Sequence, residues 1–212
     1  MSPSGLIYLV DDSADVRLHL GDLLRRLGYS VETFADAEAF LKARRPASPA
    51  VILMDMRMPG LSGLQAQSRL LAQGWSTPVV FISGESHLHE GIQAMKQGAV
   101  DFLCKPFGRE ELVVAVDRAL EVDRARQVSQ RRRAEIERRL AELSRREREI
   151  FFLMLQGHPN REIAEITDVQ AGTIKKHRAA VLEKMQVSGT AELLELCQGL
   201  DLTDLRESPS SP

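Results

Sequence analysis

The chain has 212 residues, 43% of them apolar, and its 28 Lys and Arg nearly balance 30 Asp and Glu for a net charge of −2. That length suits two domains with real cores, and the near-neutral balance excludes a uniformly basic nucleic-acid binder, leaving such a role to local patches. There is no basic-then-apolar leader and no apolar run of about 18 residues, so neither ordinary secretion nor a membrane span is expected. Cys104 and Cys197 lie far apart and form no CxxC, which argues against a disulfide framework or a zinc site. Both read as small buried hydrophobes in a reducing cytoplasm.

In chain order, short apolar runs alternate with amphipathic ones. Strands are predicted at 6–10, 29–34, 51–54, 78–82 and 100–103, with helices near 14–27, 36–44, 62–73 and 86–97 and another opening at about 109. Strands alternating with helices in this way predict an α/β domain over 1–122, a doubly wound five-stranded parallel sheet. Unbroken apolar runs such as Pro78–Ile82 suit central strands covered on both faces. Gly28 and Gly98 stand where helices should stop.

Beyond residue 122 the character changes. Residues 123–142 hold 7 basic and 4 acidic side chains, whereas the segments before and after are both slightly acidic. Few apolar residues and no Gly or Pro predict a solvated helical linker, with Ile136, Leu140 and Leu143 as a short stripe. Too few heptads are apolar to assert a coiled coil. A small all-α domain is predicted over 143–205 and a disordered tail over 206–212.

The chemistry concentrates at strand ends, where parallel α/β sheets bind ligands. Asp11 and Asp12 close the first strand, Asp55 the third and Ser83 the fourth, while Lys105 follows the fifth. Three converging carboxylates repel one another unless a cation joins them, and a hard divalent ion such as Mg²⁺ fits oxygen donors. Asp12 and Asp55 would ligate it directly, with a backbone carbonyl near Arg57 and Asp11 through water. A carboxylate left free could act as a nucleophile toward a phosphoryl group, its charge balanced by metal and Lys105. A cis Lys105–Pro106 peptide would help aim the lysine. Each residue alone has an ordinary explanation as turn former or solvated side chain; the joint pattern in one sheet does not.

Residues 4–122 resemble the receiver domain of bacterial two-component response regulators, most closely the FixJ-type branch. The segments VDDSADVR, DMRMPGLSGL, VVFISGES and AMKQGAVDFLCKPF carry the likeness. It implies a flavodoxin-like fold in which Asp55 is the phosphoacceptor and Asp11 and Asp12 form the acidic metal pair. Ser83 and Lys105 would contact the phosphoryl group, and Phe102 would be the switch aromatic. Ser13 departs from a pattern that often has an acid there, without touching the required ligands.

In the C-terminal segment, apolar residues from Leu143 to Met185 space out three helices, enough for a three- or four-helix domain. The third carries Lys175, Lys176, His177 and Arg178 in a row, which suits a helix in the major groove of DNA; a solvated basic helix would also show it. LSRRERE, NREIAEI and TIKKHRAAVLEKM resemble the LuxR/NarL-type helix-turn-helix. By that resemblance Lys175, Lys176 and Ala179 face bases, while Thr173, Arg178 and Asn160 or Arg161 meet phosphates. Thr167-Asp168 stands where Leu-Gly is usual, and Gln170-Ala171 replaces a Ser-Glu start, which loses a strong N-cap and predicts a softer turn.

Together the resemblances imply a cytoplasmic transcription factor switched by phosphorylation, not an enzyme beyond its own phosphoryl transfer and dephosphorylation. Its partners would be a sensor histidine kinase, double-stranded DNA, a second copy of itself when phosphorylated, and RNA polymerase. Three rivals remain: a hydrolase using Asp55, which would want a second acid where Arg57 stands; a receiver serving as a constitutive dimerisation module; and a C-terminal domain binding protein or RNA.

Overall fold

The computed structural model describes residues 5–43, 49–84, 88–202 and 205. The expected tail at 206–212 and the expected helix start at 86 lie outside them. The chain divides into two compact units, 1–127 and 128–212.

The first unit alternates β1 (Leu6–Val10), α1 (Ala14–Arg26), β2 (Ser30–Phe34), α2 (Ala37–Lys42), β3 (Ala50–Asp55), α3 (Gly63–Ala72), β4 (Val79–Ser83), α4 (Leu88–Lys96) and β5 (Asp101–Cys104). A long helix, α5 (Arg109–Ala141), follows. All strand pairs are parallel, in the order β2-β1-β3-β4-β5. This is the doubly wound sheet expected from the alternation. The chain reverses direction of travel between β1 and β3, so a crevice opens at their carboxyl ends.

Strand periodicity divides the core between the two faces. Tyr8, Ile52, Met54 and Phe81 pack one way with Phe40, Ala66, Leu70 and Ala94 of α2, α3 and α4. Ile7, Leu9, Leu53 and Val80 pack the other way with Leu20, Leu24, Leu112, Val116 and Leu120 of α1 and α5. β3 and β4 are buried at every residue, as central strands must be, whereas edge strand β2 is not. Gly28 and Gly98 adopt positive φ just after their helices, as expected. Cys104 is exposed, contrary to expectation, because it ends the edge strand β5; Cys197 is buried as expected.

The second unit takes the rest of α5 and adds α6 (Arg145–Leu155), α7 (Asn160–Thr167), α8 (Ala171–Lys184) and α9 (Thr190–Cys197). Its core joins Ile136 and Leu140 to Ile150, Phe151, Ile163, Ile174, Val181 and Leu193. Ile166, expected on an apolar face, is 54% exposed, since α7 turns Ile163 inward instead.

The stretch expected as a linker is helical to Ala141 but is not simply solvated. Asp123 is buried, accepts from the Ala50 amide at 3.0 Å and pairs with Arg126, so the first unit runs past residue 122. In the second unit Arg132 donates to the carbonyls of Glu195 and Leu196, Arg139 to Met185 and Arg133 to Asp201. Arg132 and Arg139, which read as surface charge, thus satisfy carbonyls at the C-terminal ends of α9 and α8, where helices leave acceptors unpaired.

Candidate functional site

Hydrogen bonding along the sheet brings the strand-end residues to one rim. β3 pairs Asp55 with Ile82, and β4 pairs Ser83 with Cys104. The Lys105 amide donates to the Ser83 carbonyl at 2.6 Å, which carries the rim on to the lysine. The Lys105–Pro106 peptide is cis.

At the centre, Lys105 Nζ lies 2.9 Å from Asp55 Oδ1 and 3.1 Å from Asp11 Oδ2. Asp55 Oδ2 accepts from the Arg57 amide at 2.8 Å, and Asp11 Oδ1 from the Ser13 amide at 2.9 Å. Asp11 is 1% exposed and Asp55 8%. Burial pushes the Asp55 carboxyl above its ordinary range; Lys105 and the Arg57 amide pull against it, and the Asp11 charge adds to the rise. For Lys105, burial lowers the pKa but the two carboxylates outweigh it, so the ammonium is held more firmly than usual.

Asp12 is exposed. Among the described residues, no three His, Cys, Asp or Glu side chains stand together closely enough to hold a metal ion. Asp11 and Asp55 converge on Lys105 instead. The donors still fit a hard cation: the two buried carboxylates share one ammonium, which leaves negative charge over, and they offer only oxygen.

Ser83 is buried at the end of β4. Phe102, half-buried on β5, packs against the core cluster that contains Ala94 of α4. Two contributors to the rim were not anticipated. Gly63, first residue of α3, lies so near β3 that a Cβ there would meet the Asp55 carbonyl at 2.5 Å. Only glycine lets α3 start against the strand end. Its signal was the Ser62-Gly63 pair opening a helix with a capping box. Arg17 donates to the carbonyls of Asp11 at 2.6 Å and Asp12 at 2.9 Å, bracing the acidic turn. Nothing in the local sequence marks that role.

In the second unit, α7 and α8 form a helix-turn-helix. Asp168 takes the left-handed conformation (φ 52°) at the end of α7, where Gly would be unstrained. Gln170 precedes α8 without a side-chain cap, as its residue type implied. Thr173, Lys175, Lys176 and Ala179 are exposed along α8, while Ile174 and Val181 face inward. Asn160 and Arg161 are exposed at the head of α7, with Arg161 paired to Glu165. Arg178 turns inward, donating to the His158 carbonyl and Thr190 Oγ1, so it ties α8 to its neighbours.

Residues 7–117 match the response regulator receiver domain, and residues 141–197 match the bacterial regulatory proteins of the luxR family. The chain belongs to the response regulators. This response regulator is 37% identical over 196 residues to the transcriptional regulatory protein FixJ of Bradyrhizobium diazoefficiens, spanning 92% of this chain and 96% of that protein. It is 34% identical over 197 residues to the response regulator protein TodT of Pseudomonas putida, spanning 93% and 87%. Among solved structures, the response regulator StyR is 34% identical with a TM-score of 0.78, over 93% of this chain and all of that one. Full-length FixJ from B. japonicum is 37% identical with a TM-score of 0.56, over 91% and 95%. The response regulator therefore joins a receiver to a LuxR-type DNA-binding domain and is by family a transcription regulator, not a classical enzyme. No helix among the described residues is long and apolar enough to cross a membrane.

Proposed function

We propose that this response regulator takes a phosphoryl group onto Asp55 from a sensor histidine kinase in the cytoplasm and then binds double-stranded DNA as a homodimer. The observation that carries the reading is the Lys105 ammonium lodged between Asp11 and Asp55, one cation for two buried carboxylates. Asp11, Asp12 and Asp55, with the Arg57 backbone carbonyl, are the groups that would hold Mg²⁺. When bound, the ion would draw charge from the transferring phosphoryl oxygens.

Asp55 Oδ attacks phosphorus in line with the bond to the kinase histidine. That P–N bond breaks, its electron pair passes to the imidazole, and the imidazole takes a proton. Lys105 stabilises the charge on the phosphoryl oxygens, and the Ser83 hydroxyl donates to one of them. Water later reverses the modification at the same site.

Movement of Ser83 toward the phosphoryl group leaves space that Phe102 follows, and the α4–β5 face changes its contacts. Ile92 and Met95 on α4 and Val114 on α5 are exposed and supply apolar surface for pairing two receivers. Two copies present two α8 helices to half-sites about 34 Å apart. Lys175, Lys176 and Ala179 would then face bases, and Thr173, Asn160 and Arg161 would meet phosphates. Arg178 acts from behind as a brace, and RNA polymerase is the downstream partner.

The test is intact-mass analysis after incubation with acetyl phosphate and Mg²⁺, beside Asp55→Asn and EDTA controls. Column sizing with and without beryllofluoride uses the same samples. A single adduct absent from both controls, with dimer formation, is the expected result. No adduct under any condition would leave the receiver as a constitutive scaffold. DNA binding should weaken steeply with salt and fall on Lys175→Ala; salt-insensitive binding would overturn the DNA reading.

A further inference from the structure

Asp11 and Asp12 are neighbours in the chain, yet only one has its carboxylate held. Asp11 is buried, with Lys105 on one oxygen and the Ser13 amide on the other. Asp12 is exposed, and among the described residues nothing bonds its carboxylate. What fixes Asp12 is its backbone. The Asp11 carbonyl lies in the peptide plane before the Asp12 Cα, and the Asp12 carbonyl lies in the plane after it. Arg17 Nη1 donates to both, at 2.6 Å and 2.9 Å. With both planes pinned by one nitrogen, the two backbone torsions of Asp12 are set, and with them the direction in which its side chain leaves the chain.

Arg17 is the fourth residue of α1 and half-buried. Side chains on a helix lean toward its N-terminus, so a long one in the first turn reaches back over the cap to the chain that precedes it. The Arg17 amide donates to the Ser13 carbonyl at 3.1 Å, which anchors the base of the side chain beside the turn that its tip braces. Helix stability does not explain the choice of residue. A cation at this end of α1 opposes the helix dipole, which Asp15 in the same turn favours.

We infer that Arg17 is a positioning residue for the Mg²⁺ site: it presents the Asp12 carboxylate to the cation by fixing the Asp12 backbone, and touches neither the cation nor the phosphoryl group. This rests on Asp11, Asp12 and Asp55 being the groups that hold Mg²⁺, and adds the residue that makes Asp12 a preset ligand. Charge and geometry act in opposite directions here. A guanidinium beside two carboxylates repels an incoming divalent cation and so weakens its binding. Holding Asp12 in place removes the cost of ordering an exposed ligand, which strengthens binding. Groups that orient a ligand from behind are worth about tenfold to a hundredfold in metal affinity, so positioning outweighs the repulsion.

The test is titration of the unphosphorylated full chain with Mg²⁺ alone, followed by calorimetry, with the fluorescence of buried Trp75 confirming that each variant is folded. Arg17→Gln should weaken Mg²⁺ binding about tenfold even though it removes a positive charge from the site. Arg17→Lys should recover part of that loss, because both bonds come from a single nitrogen and an ammonium carries three hydrogens to share between the carbonyls. Asp12→Asn should also weaken binding, and adding Arg17→Gln to it should cost little more, since Arg17 acts only through Asp12. Unchanged or tighter binding in Arg17→Gln would overturn the inference and leave Arg17 as a charge. Losses that add in full in the double variant, or that Arg17→Lys does not relieve, would overturn it as well. A wild type that binds no Mg²⁺ would remove the metal site and the inference together.

Discussion

Asp55 and Glu147 are each 8% exposed and each holds a lysine, at 2.9 Å and 2.7 Å, yet their carboxyls are displaced in opposite directions. Burial pushes both up. For Glu147 it is outweighed by Lys184 together with the amide and hydroxyl of Ser144, so the group ends below its ordinary range. For Asp55 it is not outweighed: burial is the largest effect, Lys105 and the Arg57 amide fall short of it, and the Asp11 charge adds a little to the rise. The difference separates a structural carboxylate from a reactive one. Glu147 closes the capping box of α6 and bolts it to α8, its Oε2 accepting from both the Ser144 amide and Lys184. Asp55 is left with uncompensated charge that a cation or a covalent partner can relieve.

Breaking the structural partner should have the largest effect. Lys184→Met leaves buried Glu147 without its ammonium and should destabilise the second unit by about 3 kcal/mol. Urea unfolding followed by circular dichroism measures it. Trp75 is the only tryptophan in the chain and is buried in the first unit, so its fluorescence should barely respond.

Gly63→Ala should cost about 2 kcal/mol in the first unit, because the new methyl meets backbone at the Asp55 carbonyl. Here the Trp75 transition shifts and the helical signal of the second unit stays.

Asp55→Asn removes the under-neutralised charge and should stabilise the first unit by about 1 kcal/mol at neutral pH, the usual size of such a gain at a functional site. Acid sharpens the contrast. Glu147, with a lowered folded pKa, contributes stability above its unfolded value and loses it as pH falls through the folded one. Asp55, with a raised folded pKa, contributes stability below its unfolded value and loses it as pH rises through the folded one. Thermal melts from pH 3 to 7 should show the second unit weakening toward acid, while the gap between Asp55→Asn and wild type in the first unit narrows. A gap independent of pH would count against the charge argument.

The smallest effect is Asp168→Gly, which relieves the left-handed residue after α7 and should add about 0.5 kcal/mol to the second unit. A loss instead would mean that the aspartate side chain stabilises the turn.

Much of this was legible in the chain. Strand and helix alternation, the strand-end positions of Asp11, Asp12, Asp55 and Ser83, and the basic face of α8 depend on local patterning and on a topology that short connections nearly impose. The alternating faces of β1, β3 and β4 fixed which side chains enter the core and which element ends face solvent.

What the sequence could not decide are partnerships whose members lie far apart along the chain. The arginines of α5 read as solvated because charge composition says nothing about which carbonyls wait nearby; only packing brings Arg132 to α9 and Arg139 to the end of α8. Arg178 looked like a phosphate ligand until α8 packed it against His158 and Thr190. The direction of the Asp55 shift likewise depends on burial at the end of β3, which outweighs a lysine brought from another strand end. Residue type and order determined the fold and the chemical inventory of the rim. The tertiary structure alone decided which charges are neutralised, because burial and distance set electrostatic energies and neither is written along the chain.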